Sequence, residues 1–113
     1  MQKSLISRNN IKINGKGSKA IVFIHGYGCD QNMWRFVAPA FEDDYKVVLL
    51  DLVGCGYSDP DAYEYDKYNS LDGHVADIIE ICDVLKLENT ILVGHSVSAI
   101  IAGLASIWRP DLF

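Results

Sequence analysis

The stretch Ile91-Leu-Val-Gly-His-Ser-Val-Ser-Ala-Ile-Ile101 constrains this chain more than any other: an apolar run, one short polar interruption, then small and apolar residues again. The residues before Gly94 suit a buried strand and those from Val97 onward a buried helix, so Gly94-His95-Ser96-Val97-Ser98 must be the turn between them. A sharp strand-to-helix turn of this kind lifts one serine to the rim of a sheet with its hydroxyl exposed, the arrangement called a nucleophile elbow. Gly94 and the small Ser98 stand where strand and helix have to approach closely. The plainer alternative is that Ser96 merely caps the helix, since serine is a favoured N-cap.

The remaining segments alternate in the same way. Ala20-Ile-Val-Phe-Ile24 and Lys46-Val-Val-Leu-Leu50 are β-branched or apolar throughout, which suits strands covered on both faces of a mostly parallel sheet. From Asp30, a good N-cap, Met33, Val37 and Phe41 recur at helical spacing, and Pro39 should end or kink that helix. Ser70 is placed to cap a second helix, with Leu71, Val75, Ile78, Ile79, Cys82 and Leu85 on its apolar stripe and Asp72, Asp77, Glu80, Asp83 and Lys86 off it. Near the N-terminus, Leu5–Arg8 and Ile11–Ile13 flank Asn9-Asn10 and read as a short antiparallel hairpin. Strand and helix alternation predicts an α/β fold with flanking helices and right-handed crossovers. The loops at His25–Asp30, Gly54–Ser58 and His95–Val97 each follow a strand and should share one ligand-binding rim.

Composition narrows the partners. Half of the 113 residues are hydrophobic, 22% are charged and the net charge is −5, which fits one globular domain or part of one. Ten scattered basic residues do not build a nucleic-acid or anionic-membrane surface. No apolar run approaches the roughly 20 residues that cross a bilayer, and the first residues lack a signal-peptide pattern, so a cytoplasmic location is expected. Cys29, Cys55 and Cys82 are too widely spaced for a metal half-site and are expected as free thiols. Gly26-Tyr-Gly28 and Gly54-Cys-Gly56 lack the third glycine of a dinucleotide fingerprint, and there is no P-loop, so neither cofactor nor metal is expected.

A serine that attacks a carbonyl needs donors for the oxyanion it creates. The backbone N–H of Val97, at the helix start, and that of Tyr27, in the loop after the first parallel strand, are the candidates, with His25, Gly26 and His95 as their neighbours. The base is harder to find. His25 and His95 lie inside the turns, His74 lies in the first turn of an amphipathic helix, and each is better explained locally. Asp51 and Asp59 are expected to cap or brace their loop.

Taken together, His25-Gly-Tyr-Gly-Cys-Asp-Gln-Asn-Met-Trp34, Asp51-Leu-Val-Gly-Cys-Gly-Tyr-Ser-Asp59, Gly94-His-Ser-Val-Ser-Ala99 and Leu104-Ala-Ser-Ile-Trp-Arg-Pro-Asp-Leu-Phe113 resemble the α/β-hydrolase superfamily. The resemblance is closest to the branch holding the RsbQ-type bacterial stress regulators and the plant strigolactone and karrikin receptors. It implies a serine hydrolase of small hydrophobic esters or lactones that acts in signalling, with a regulatory protein partner, Ser96 as nucleophile, and Tyr27 and Val97 as oxyanion donors. A serine rather than an aspartate at the elbow argues against the dehalogenase and epoxide-hydrolase branches. The family's acid and histidine follow on later strands, which places them beyond Phe113. Residues 1–113 are therefore expected to be the N-terminal portion of one such domain, lid and C-terminal strands absent, and nearly inactive alone. The alternatives are a non-catalytic binding or regulatory module that uses the same rim, and cofactor-free perhydrolase chemistry at the same serine.

Overall fold

A computed structural model describes residues 2–113, with side chains from Ser4 onward. The strands β1 (Lys12–Asn14), β2 (Ala20–Ile24), β3 (Lys46–Leu49) and β4 (Ile91–Gly94) form one sheet in the order β1-β3-β2-β4. β2 runs parallel to both β3 and β4, pairing Val22 with Val48 on one side and with Leu92 on the other, while β1 is antiparallel to β3. The α/β expectation, a mostly parallel sheet with flanking helices, is met.

β2 sits inside the sheet and is buried along its length, and its alternation divides the core. Ala20, Val22 and Ile24 pack with Val48, Leu50, Ile78, Ile81, Ile101 and Ala105 under the helices α3 (Asp72–Val84) and α4 (Val97–Trp108). Ile21 and Phe23 face the other way, onto Trp34, Ala38 and Val47, with the Phe23 and Trp34 ring centroids 5.0 Å apart. Side chains on both faces of one strand explain why its sequence is apolar throughout.

Three expectations are corrected. The N-terminal hairpin is instead a helix, α1 (Gln2–Asn9), followed by β1. Asn10 adopts φ 46°, and the Ile11 N–H donates to the Ile6 carbonyl at 3.0 Å, so the asparagine pair ends a helix rather than turning a hairpin. The helix expected from Asp30 is two separate 3-10 turns, Gln31–Trp34 and Ala38–Phe41, because Pro39 opens the second turn and supplies no N–H to continue the first. Asp77, expected on the wet side of its helix, is buried against α1 and the short helix α2 (Tyr65–Tyr68). There it accepts from the Tyr68 hydroxyl and from Lys67 Nζ, each at 2.7 Å, and pairs with Arg8. A buried carboxylate survives only with such partners.

Ser70 is not the N-cap expected of it: Leu71 holds that position without a side-chain cap, and Ser70, one residue earlier, accepts from the Asp72 N–H at 3.3 Å. The three cysteines are free thiols, and burial pushes the Cys82 thiol up to about 12. Among the described residues no helix is long and apolar enough to cross a membrane.

β4 is an edge strand, and α4 is covered on one face only: Ile100 is 57% and Ile107 73% exposed. Open strand edges and contiguous apolar surface drive association. The purified 113-residue chain is therefore expected to self-associate in a size-exclusion run, and the pair Ile100→Lys and Ile107→Lys to shift it toward monomer. A sharp monomer peak for the unaltered chain would contradict this.

Candidate functional site

β4 ends at Gly94, where the backbone has to reverse into α4. A Cβ at Gly94 would lie 2.2 Å from the Ser98 carbonyl oxygen, so only glycine allows the strand and helix to approach this closely. The next turn carries the strain: Ser96 sits at φ 61°, ψ −124°, a region that L residues rarely adopt. Ser96 precedes the first helical residue, yet its side chain makes no capping hydrogen bond and is exposed. The plain capping role is thus absent, and Ser96 stands exposed on a strained strand-to-helix turn.

The loop after β2 packs directly against this turn. The His95 N–H donates to the Ile24 carbonyl at 3.1 Å, and a Cβ on Gly26 would meet His95 Nδ1 at 2.6 Å and Ser96 Cβ at 3.2 Å. Ser98, in the place where this motif often has a second glycine, is fully buried and donates its hydroxyl to the His25 carbonyl. The serine that weakens the motif as a pattern therefore ties the two loops together. The backbone N–H groups of Tyr27 and Val97 take no part in the turn and cap hydrogen bonds. The Tyr27 side chain is 91% exposed.

His25 is buried and has both ring nitrogens engaged. Nε2 accepts from the Leu52 N–H at 2.9 Å, which leaves the proton on Nδ1 to donate to the Gly26 carbonyl at 2.8 Å. The ring is a strut between the loops after β2 and β3 and has no nitrogen free to act as a base. Sequence reasoning placed His25 among the neighbours of the site and missed this role; the alternation of His25 with glycines carries no signal for it.

Asp51 braces the same rim, as expected. Its carboxylate accepts from the Gln31 N–H at 2.8 Å, the Tyr57 N–H at 2.9 Å and Asn10 Nδ2 at 3.0 Å. Burial alone would raise its pKa, but these donors outweigh burial and hold the carboxyl below its ordinary 3.8. Asp59 caps its own loop by accepting from the Asp61 N–H at 2.9 Å. The three loops following β2, β3 and β4 thus do meet at one rim.

Beside this turn lies a cleft of about 620 Å³ whose lining includes Tyr27, Leu52, Tyr63, Tyr68, His74 and Val97. Its walls are largely apolar and aromatic, suited to a small hydrophobic ligand. Among the described residues no group of three His, Cys, Asp or Glu side chains is placed to hold a metal.

Replacing Asp51 by alanine would leave three donors without their acceptor and is expected to cost about 2–3 kcal/mol in a urea melt. A depressed folded-state pKa contributes stability above the unfolded value and loses it as pH falls. The stability gap between the unaltered chain and Asp51→Asn should be full near about pH 6 and shrink below about pH 4. A gap that grew on acidification would contradict the bracing role.

Residues 19–110 match the family model described as alpha/beta hydrolase fold. The chain is 45% identical over 105 residues to the karrikin insensitive 2 receptor CA of Petunia hybrida and 41% identical over 112 residues to a strigolactone esterase of Arabidopsis thaliana. These alignments cover 93% and 99% of the chain but only 39% and 42% of the relatives, so the chain spans about two fifths of their length. Among solved structures, a hydrolase from Oleispira antarctica superposes with a TM-score of 0.94 at 45% identity, over 98% of this chain and 41% of that one. By its strand order, its elbow and these matches, the chain belongs to the α/β-hydrolase fold family.

Proposed function

We propose that residues 1–113 form the nucleophile-bearing part of a serine hydrolase that cleaves small hydrophobic esters or lactones. The observation that carries this reading is Ser96, held at φ 61°, ψ −124° with its hydroxyl exposed and uncommitted, beside the N–H groups of Tyr27 and Val97. Ser96 Oγ attacks the substrate carbonyl, and the two N–H groups receive the charge that develops on its oxygen. The proton from Ser96 goes to a histidine held by an acid, both contributed by segments outside these residues, since His25 is committed at both nitrogens.

The apolar cleft favours a hydrophobic acyl or alcohol part, and relatives named as a strigolactone esterase and a karrikin insensitive 2 receptor support an ester or lactone ligand and a receptor role. Epoxide hydrolases also occur among the similar proteins, at 34% identity for one from Mus musculus. Ring opening through a covalent ester needs a carboxylate at the elbow, and this chain has a serine there.

The 113-residue chain alone is expected not to hydrolyse p-nitrophenyl acetate in a Ser96-dependent way. Joined to the remaining segment of the Oleispira antarctica hydrolase, it is expected to do so, with Ser96→Ala lowering kcat/KM by roughly a thousandfold or more. A folded chimera whose turnover survived Ser96→Ala would overturn the nucleophile assignment. Ser96-dependent turnover by the 113 residues alone would overturn the assignment of the missing partners.

A further inference from the structure

The cleft beside the elbow contains one imidazole that the fold leaves without hydrogen-bond partners. His74, in the first turn of α3, lines the cleft; among the described residues its Nδ1 is buried and unpaired, while its Nε2 makes no hydrogen bond and is not among the buried unpaired atoms. A buried N–H without an acceptor is rarer than an unpaired lone pair, so the ring proton belongs on Nε2. That makes Nε2–H a hydrogen-bond donor at a cleft lined mainly by apolar and aromatic side chains, with Asn69 and Ser70 as its other polar neighbours.

The ring is held in place from behind. It packs on Tyr68 with centroids 5.0 Å apart, and Tyr68 is fixed by its hydroxyl bond of 2.7 Å to the buried Asp77. Tyr63 stacks on Tyr68 at 5.9 Å and 21°, extending a flat aromatic wall beside the imidazole. Burial lowers the His74 pKa further than the nearby Asp77 raises it, so the ring is uncharged near neutral pH.

We propose that His74 is a specificity-determining residue of this cleft, its Nε2–H donating to an oxygen of a ligand whose planar apolar part lies against the Tyr63–Tyr68 wall. The proposal rests on the reading of the rim as an ester or lactone site and names the ligand class that site prefers: flat, apolar and bearing an oxygen acceptor. Nothing in the nucleophile assignment requires it, because a hydrolase of small aliphatic esters would have no use for this donor.

The test uses the 113-residue chain and two probes of equal shape, naphthyl acetate and isobutylnaphthalene, titrated while the His74 ring-nitrogen NMR signals are followed. Naphthyl acetate is expected to shift the Nε2 signal, and His74→Phe to weaken its binding about five- to tenfold while leaving the hydrocarbon unchanged. His74→Gln, which carries an amide donor near the Nε2 position, is expected to restore most of the ester affinity. Absence of ester binding, equal ester affinity in His74→Phe, or equal loss for both probes would each overturn the proposal. Should His74→Phe not fold, the Nε2 signal of the unaltered chain decides: no movement on adding the ester overturns it. Ser96-independent turnover in the chimera together with His74-dependent binding would remove the Ser96 nucleophile reading alone. The reverse pair of results would remove this inference alone.

Discussion

Everything at the rim depends on the absence of a side chain at Gly94. With a Cβ there, the Ser98 carbonyl would have to move by more than an ångström, and α4 could no longer begin directly behind β4. Because it can, the Ser96 backbone is forced into its positive-φ turn, and the serine side chain projects away from both elements. The strain at one residue, of order 1–3 kcal/mol in such regions, is held by the parallel pairing of β4 with β2 and by Ile101 and Ala105, the α4 residues buried in the core with Val22 and Ile24.

The rim is then tied together by single hydrogen bonds between loops rather than by more sheet. The Ser98 hydroxyl reaches back to the His25 carbonyl, the His25 ring reaches across to Leu52, and the Asp51 carboxylate gathers Asn10, Gln31 and Tyr57. All but the Asp51–Tyr57 bond join segments at least 20 residues apart, so the loops are positioned relative to the Ser96 turn and not merely folded beside it. Pre-set donors of this kind serve a site whose chemistry tolerates little misplacement. The cleft wall follows the same pattern on the other side, where buried Asp77 fixes Tyr68 and Tyr68 supports His74.

Much of this was legible in the residues. The apolar runs at Ala20–Ile24, Lys46–Leu50 and Ile91–Val93 all became strands, but only the first is buried along its length; the strand expected to be buried before Gly94 lies at the sheet edge and is exposed or half-buried, because no further strand among the described residues covers it. The elbow was legible because Gly94, Ser96 and Ser98 sit within five residues between two apolar segments. The N-terminal helix was not, since Asn9-Asn10 is as good a left-handed helix end as a hairpin turn, and only the Ile11-to-Ile6 bond distinguishes them. Asp77 was misplaced for a related reason: helical periodicity describes one helix at a time, and the neighbours α1 and α2 that bury its polar side are contributed by distant sequence. The roles of His25 and His74 differ for the same cause, since their partners, or lack of them, are tertiary.

The central claim is that the fold holds Ser96 in a strained turn for the sake of its exposed hydroxyl. Strain of that origin belongs to the Cβ and not to the hydroxyl, so glycine and alanine at this position should differ. Chemical denaturation of Ser96→Gly against Ser96→Ala tests this most directly. Relief of the positive φ is expected to make the glycine variant the more stable by about 1 kcal/mol; an alanine variant of equal or greater stability would contradict a strained turn at Ser96 and with it the main support for the proposed nucleophile.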